Sequence, residues 1–295
     1  MMKNKKLYAA IGATVLICAA AAGFYFSSLA RLNRLAAGKD CRVGAAVIAG
    51  SRTFVHGEGK YPLLSVFKLF IAVQVLDKLG RENTDPCKTE LTITRDMIDE
   101  RTYSPMRDER RTYPYGISVA RLLEYMVAES DNNAADILLA YAGGAEQTQA
   151  YLNRLGFGGI EVSVNEREMN ADIAKQYVNR ASPADVVRFL KTVREGDILT
   201  PENRKFFDKI MTATVTGGDK LKAGLPQGTV FGHKTGSSSR TAEGIKIADN
   251  DAGFVILPDG RTYYIAVMVS DSRMSDRENA ALAAEISAVV YNRLR

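Results

Sequence analysis

The sequence predicts an α+β fold: an antiparallel five-stranded sheet flanked by terminal helices, plus an all-helical lobe. Three observations lead there. β-rich runs occur near residues 42–56 and again over 229–269, at opposite ends of the body. The stretch between them carries helical periodicity and helix N-cap residues, and the chain closes on an amphipathic segment able to cover a sheet face. The body, 31–295, then divides into an α/β lobe of about 31–60 and 212–295 and a helical lobe of about 61–211, with residues 1–30 standing apart.

Taken in order, a short amphipathic stretch over 27–37 offers Leu29, Leu32, Leu35 and Ala36 to one face. Arg42–Ala49 (RVGAAVIA) reads as a buried strand, with a turn at Gly50-Ser51 and a partner over 53–56. After Pro62 the pattern turns helical, and 65–79 places apolar residues at 66, 67, 69, 70, 73, 75 and 76. Ser118 caps a helix through Ala128, and 133–141 forms another. Ser182-Pro183 starts a helix through Val193, and Pro201 begins the next, with Phe206, Phe207 and Ile210 on one face. Strands return at 229–234, 252–257 and 263–269, the last two joined by the turn Pro258-Asp259-Gly260. Residues 277–294 form the closing helix.

Composition removes several classes. The chain has 295 residues, 46% hydrophobic and 25% charged, which is enough for a core without staples and excludes disordered and disulfide-framework proteins. His56 and His233 are the only histidines, and neither lies in an HxH or HExxH spacing, so no metal and no cofactor is expected. No phosphate-cradling glycine loop is present. Lys3, Lys5 and Lys6 carry three of the five net positive charges, leaving +2 for the rest. Arg107, Arg110 and Arg111 alternate with Asp108 and Glu109 as a solvated face would, so no nucleic-acid partner is expected.

The first thirty residues read as an address. Three lysines precede a run from residue 7 to 30 without charge, a basic segment followed by an apolar one as in a secretory signal. Small residues at 20–22 and 28–30 suit cleavage. An uncleaved run of this length would span a bilayer, the one membrane contact expected. Ile17 before Cys18 is large where a lipoprotein site wants a small residue. The body is therefore read as exported, and its two cysteines, Cys41 and Cys87, are left open between a bridge and two thiols.

Three short motifs carry chemistry. Ser65-Val66-Phe67-Lys68 puts a hydroxyl and an amine on one helix face, where a nearby base can activate the serine and helix-start N–H groups can stabilise an oxyanion. Alone it means little, since about one S-x-x-K arises by chance in a chain of this length. Ser130-Asp131-Asn132 falls between two predicted helices, where a turn and an N-cap would also explain it. Lys234-Thr235-Gly236 ends a strand, placing a cation beside the interlobe cleft where Gly236 lets a substrate backbone approach. Together, in this order and setting, they are far more specific than any one of them.

With these motifs the chain resembles the penicillin-recognising serine enzymes, and particularly the class A serine β-lactamases, from about residue 32 to 294. Glu166 and Asn170 match the E-x-x-x-N of the class A omega loop, where a carboxylate poised over an acyl-serine activates water. The segments E-x-x-M-x-A-D, S-V-F-K and H-K-T-G look like the PER-type and Bacteroidetes cephalosporinase branch. That likeness implies a differently folded omega loop, a wider site and a preference for cephalosporins. Three positions depart from the common pattern: Asp136 stands where many members have asparagine, and Val164 and Asn179 replace the Arg–Asp pair that braces the loop.

The resemblance implies a division of roles. Ser65 would attack the lactam carbonyl, with backbone N–H groups of Ser65 and Ser237 as the oxyanion hole. Lys68, or Glu166 through water, would be the acylation base. Ser130, helped by Lys234, would protonate the leaving nitrogen. Asn132 would hold the substrate side-chain amide, while Lys234, Thr235 and Ser237 engage its carboxylate, with Lys220 a candidate for an additional cation. Tyr103 resembles an aromatic gate. His233 alternates to the other strand face and reads as structural. The expected protein is a periplasmic monomer acting on small β-lactams. A D,D-peptidase would use the same residues without needing Glu166, and a β-lactam sensor would stay acylated.

Overall fold

The computed structural model describes residues 31 and 33–295; the address segment, Leu29 and Leu32 lie outside the described residues. The five-stranded antiparallel sheet forms as expected, in the order β2-β1-β9-β8-β7, from β1 (Arg42–Ala49), β2 (Arg52–His56), β7 (Val230–Ser237), β8 (Lys246–Ile256) and β9 (Thr262–Ser272). Strand alternation sorts its side chains onto two cores. Along β9, Tyr263, Ile265, Val267 and Val269 join one core with Ile286 and Tyr291 of the terminal helix. Tyr264, Ala266 and Met268 face the other core, shared with the helical lobe.

Between β2 and β7 the chain runs through β3 (Tyr61–Pro62), a 3-10 turn (Leu64–Phe67) and α1 (Lys68–Arg81). It continues through β4 (Glu90–Ile93), α2 (Pro105–Glu109), β5 (Tyr115–Ser118), α3 (Val119–Ala128), α4 (Asn132–Tyr141) and α5 (Gly144–Arg154). It then passes α6 (Glu166–Ala171), β6 (Arg180–Ala181), α7 (Pro183–Glu195) and α8 (Pro201–Thr212), and the last helix is α9 (Asp276–Leu294). Ser118 and Ser182 cap α3 and α7 through their side-chain oxygens, as their positions predict, and Thr200 caps α8 in the same way.

Helix α1 is the axis of the helical lobe, and every side chain from Lys68 to Leu76 is buried. Around it Phe70, Phe189 and Phe157 meet edge to face with centroids 4.9 and 5.2 Å apart. The predicted helix start shifts: Ser65 sits in the 3-10 turn, and the α-helix begins at Lys68. Strand β8 starts at Lys246, six residues before its apolar run, and β7 continues through Ser237 rather than ending at the K-T-G. The β4–β5 pair had no sequence signal. Cys41 and Cys87 are free thiols.

Candidate active site

Three elements bring the motifs together: the 3-10 turn into α1, the α3–α4 junction and edge strand β7. Ser65 enters from the turn after Leu64, whose φ is +45°. Ser130 itself has φ +61°, in the left-handed region that a residue with a Cβ adopts at a cost of about 1–2 kcal/mol. The neighbouring Asp131 holds this bend. Its buried carboxylate caps α4 at Ala134 N (2.8 Å) and accepts from Met106 N (2.8 Å) and Ser104 Oγ (2.8 Å). Burial pushes that carboxyl upward, against the pull of those donors.

The chemistry-bearing atoms then converge. Ser65 Oγ donates to Glu166 Oε1 at 3.2 Å. Lys68 Nζ lies 2.9 Å from that same oxygen, 2.8 Å from Ser130 O and 2.6 Å from Asn132 Oδ1. Lys234 Nζ donates to Ser130 Oγ at 2.8 Å and to Thr235 O at 2.9 Å. Lys68 and Lys234 are fully buried. Burial, then the Lys68 charge, holds the Lys234 ammonium well below its ordinary range, with Glu166 and Asp251 pulling the other way.

Glu166 is delivered by a short helix whose start is fixed twice. Asn165 and Glu168 form a reciprocal capping box. Asp136 on α4 accepts the N–H of Glu166 on Oδ1 at 2.7 Å and of Arg167 on Oδ2 at 2.9 Å, using two acceptor oxygens where an asparagine has one. Burial, opposed by those hydrogen bonds and aided by the Glu166 charge, pushes Asp136 up to about 6. At the loop's neck Asn179 replaces the missing ion pair with neutral bonds. Its Oδ1 accepts from Ser163 N (2.8 Å) and Val164 N (3.1 Å), and its Nδ2 donates to Val164 O (2.8 Å).

Several predicted residues sit differently from expectation. A Cβ on Gly236 would lie 2.4 Å from Leu63 O and 3.2 Å from Ser65 N, so the glycine also admits the Ser65 turn. Lys220 is not an uncommitted cation: it is buried, with Nζ 2.5 Å from Asp249 Oδ1, so its charge is already paired. The Asn132 amide also donates to Thr102 Oγ1 at 2.7 Å, a partner the sequence did not reveal. Tyr103 is 57% exposed, and its carbonyl accepts from Asn132 N, which places it at the site. Asn170 lies one turn after Glu166 and is exposed, as is Ser237 at the end of β7.

His233 points to the opposite face of β7. Its Nδ1 is 2.8 Å from Asp251, and its ring stacks on Phe231 with centroids 4.2 Å apart. Thr216, which carries no motif, places its hydroxyl 2.7 Å from that of Thr235. Among the described residues no cluster of His, Cys, Asp or Glu could hold a metal ion, and no helix is long and apolar enough to cross a membrane. The arrangement can deprotonate a serine, stabilise charge beside it and hand a proton across Ser130.

Comparison with known proteins covers nearly all of the body. The model of the family described as "Beta-lactamase enzyme family" matches residues 28–294. A beta-lactamase of Bacteroides uniformis is 41% identical over 268 residues, 90% of this chain and 90% of the relative. The extended-spectrum beta-lactamase PER-1 of Pseudomonas aeruginosa is 33% identical over 264 residues, 88% of this chain and 85% of that protein. A solved class A beta-lactamase from Bacteroides cellulosilyticus superposes with a TM-score of 0.89 at 40% identity, covering 92% of this chain and 98% of that one.

Proposed function

The chain belongs to the beta-lactamase enzyme family, in class A, and hydrolyses β-lactam rings by a serine mechanism; from that premise we propose how its own residues divide the work. The observation that carries the assignment is the shared oxygen: Glu166 Oε1 meets both the Ser65 hydroxyl and the Lys68 ammonium. An ammonium has three hydrogens and no lone pair, and those of Lys68 are taken by Ser130 O, Asn132 Oδ1 and Glu166. This favours Glu166, directly or through one water, as the base that removes the Ser65 proton.

Ser65 Oγ then attacks the lactam carbonyl, whose oxygen takes the developing charge between the N–H groups of Ser65 and Ser237. The close packing of Gly236 on the Ser65 turn supports that pairing of donors. As the C–N bond breaks, Ser130 gives its proton to the ring nitrogen and recovers one from Lys234, whose lowered proton affinity suits the transfer. Between the halves the proton that Glu166 took from Ser65 passes through solvent to Lys234, restoring carboxylate and ammonium. Glu166 then draws a proton from a water held with Asn170, the hydroxide attacks the ester carbonyl, and Glu166 hands the proton to Ser65 Oγ as the ester breaks. Asn132 orients the substrate side-chain amide, Tyr103 packs beside it, and Lys234, Thr235 and Ser237 meet the carboxylate.

The proposal extends to preference and place. Cephalosporins are the preferred substrates, and the protein is an exported, periplasmic monomer whose apolar leader is either removed or kept as an anchor. Incubation of purified protein with a chromogenic cephalosporin tests the nucleophile. The wild type turns over many equivalents, and Ser65→Gly gives neither turnover nor a covalent mass increase. A persistent adduct in Ser65→Gly would remove Ser65 from its role.

A further inference from the structure

Strand β7 is an edge strand, and the segment before it packs against it. That segment is anchored at successive points. Thr214 Oγ1 donates to His233 O at 2.6 Å, Val215 N to Ala128 O at 3.0 Å, and Leu221 N to Asp251 Oδ2 at 3.2 Å. Gly217, with φ +67°, has no room for a Cβ, which would fall 2.4 Å from Thr235 Cγ2. This close approach sets the hydroxyls of Thr216 and Thr235 2.7 Å apart.

Two hydroxyls carry two hydrogens, and one is consumed between the oxygens, so the pair offers a single donor to anything that binds. A hydroxyl that accepts a hydrogen bond is polarised into a better donor. We propose that Thr216 is a positioning residue for the substrate carboxylate: it donates to Thr235 Oγ1 and thereby aims the remaining Thr235 O–H at the incoming anion. This rests on the reading that Thr235 engages the carboxylate. Thr216 touches no reacting atom, so it acts on KM and leaves the chemical steps alone.

The test compares a chromogenic cephalosporin bearing its free ring carboxylate with the methyl ester of that same carboxylate. Thr216→Val keeps the branched shape and removes the hydroxyl, and Thr216→Ser restores it. The expected result is a KM for the acid raised about threefold to tenfold in Thr216→Val, an unchanged kcat, an unchanged ester KM, and recovery in Thr216→Ser. An unchanged acid KM, or equal losses on acid and ester, overturns the proposal. Should Thr216→Val fail to fold, Thr216→Ala supplies the same comparison. Thr235→Val separates the two levels: if it too treats acid and ester alike, the carboxylate reading itself fails, whereas an acid-selective loss there with none in Thr216→Val removes Thr216 alone.

Discussion

The carboxylate of Asp136 accepts the backbone N–H of Glu166 at 2.7 Å, fixing the helix start from which the Glu166 side chain reaches Ser65. The same carboxylate accepts from Arg167 N, while the facing charges are Glu166 and Lys68. Asp136 is thus a buried anion held by two amides, in the field of another carboxylate and an ammonium.

A pH dependence of stability follows. With its folded value raised to about 6 from an ordinary 3.8, Asp136 binds more protons folded than unfolded between those limits. Its contribution is therefore most favourable below about pH 4 and is lost as pH rises through 6, a change on the order of 3 kcal/mol. Urea unfolding from pH 4 to 7 should show wild type losing stability relative to Asp136→Asn over this window. Parallel curves for the two proteins would contradict it.

Asn179 is fully buried and spends each of its polar atoms on the loop's neck. Asn179→Asp keeps the two accepted N–H bonds but sets a carboxylate oxygen against the carbonyl of Val164. Stability should fall by about 2–4 kcal/mol in urea unfolding, and deacylation should slow as the Glu166 helix loosens. A variant as stable as wild type would show that the neck is braced elsewhere.

Gly236→Ala forces a methyl group to within 2.4 Å of the Leu63 carbonyl and presses on the Ser65 turn. With the N–H groups of Ser65 and Ser237 as the proposed oxyanion donors, kcat should fall by about 10²- to 10³-fold, the effect of losing one donor. Steady-state kinetics with near-normal KM and such a kcat would match; an unchanged kcat would not.

The left-handed backbone of Ser130 separates strain from chemistry. Ser130→Ala and Ser130→Gly both remove the hydroxyl that meets Lys234, and both should lose most turnover. Glycine alone relieves the φ of +61°, so Ser130→Gly should be more stable than Ser130→Ala by about 1 kcal/mol in paired denaturation curves. Equal stabilities would show that the bend is not strained.

What the sequence revealed and what it hid follow from range. Periodicity and caps are local, so α3, α7, α8 and the sheet strands were legible, and three short motifs marked the residues that the fold brings together. The start of β8 was not, because Asp249-Asn250-Asp251 reads as a turn. In the fold each polar side chain there finds a distant partner: Lys220 for Asp249, Pro62 O for Asn250, and His233 with Leu221 N for Asp251. The pairing of Lys220 with Asp249 was hidden for the same reason. The packing of the Ser65 turn on Gly236 was hidden, since no local pattern shows that contact. Thr102 and Thr216 carry no motif, and only the folded chain places their hydroxyls against Asn132 and Thr235.

The most direct test of the central claim is intact mass during turnover of a cephalosporin by Glu166→Gln beside wild type. If Glu166 is the base for both halves, the variant acylates more slowly than wild type and deacylates more slowly still, so one equivalent of acyl adduct builds up over time, while wild type shows steady turnover and no lasting adduct. A Glu166→Gln protein that turns over at the wild-type rate, with no adduct, would contradict the account.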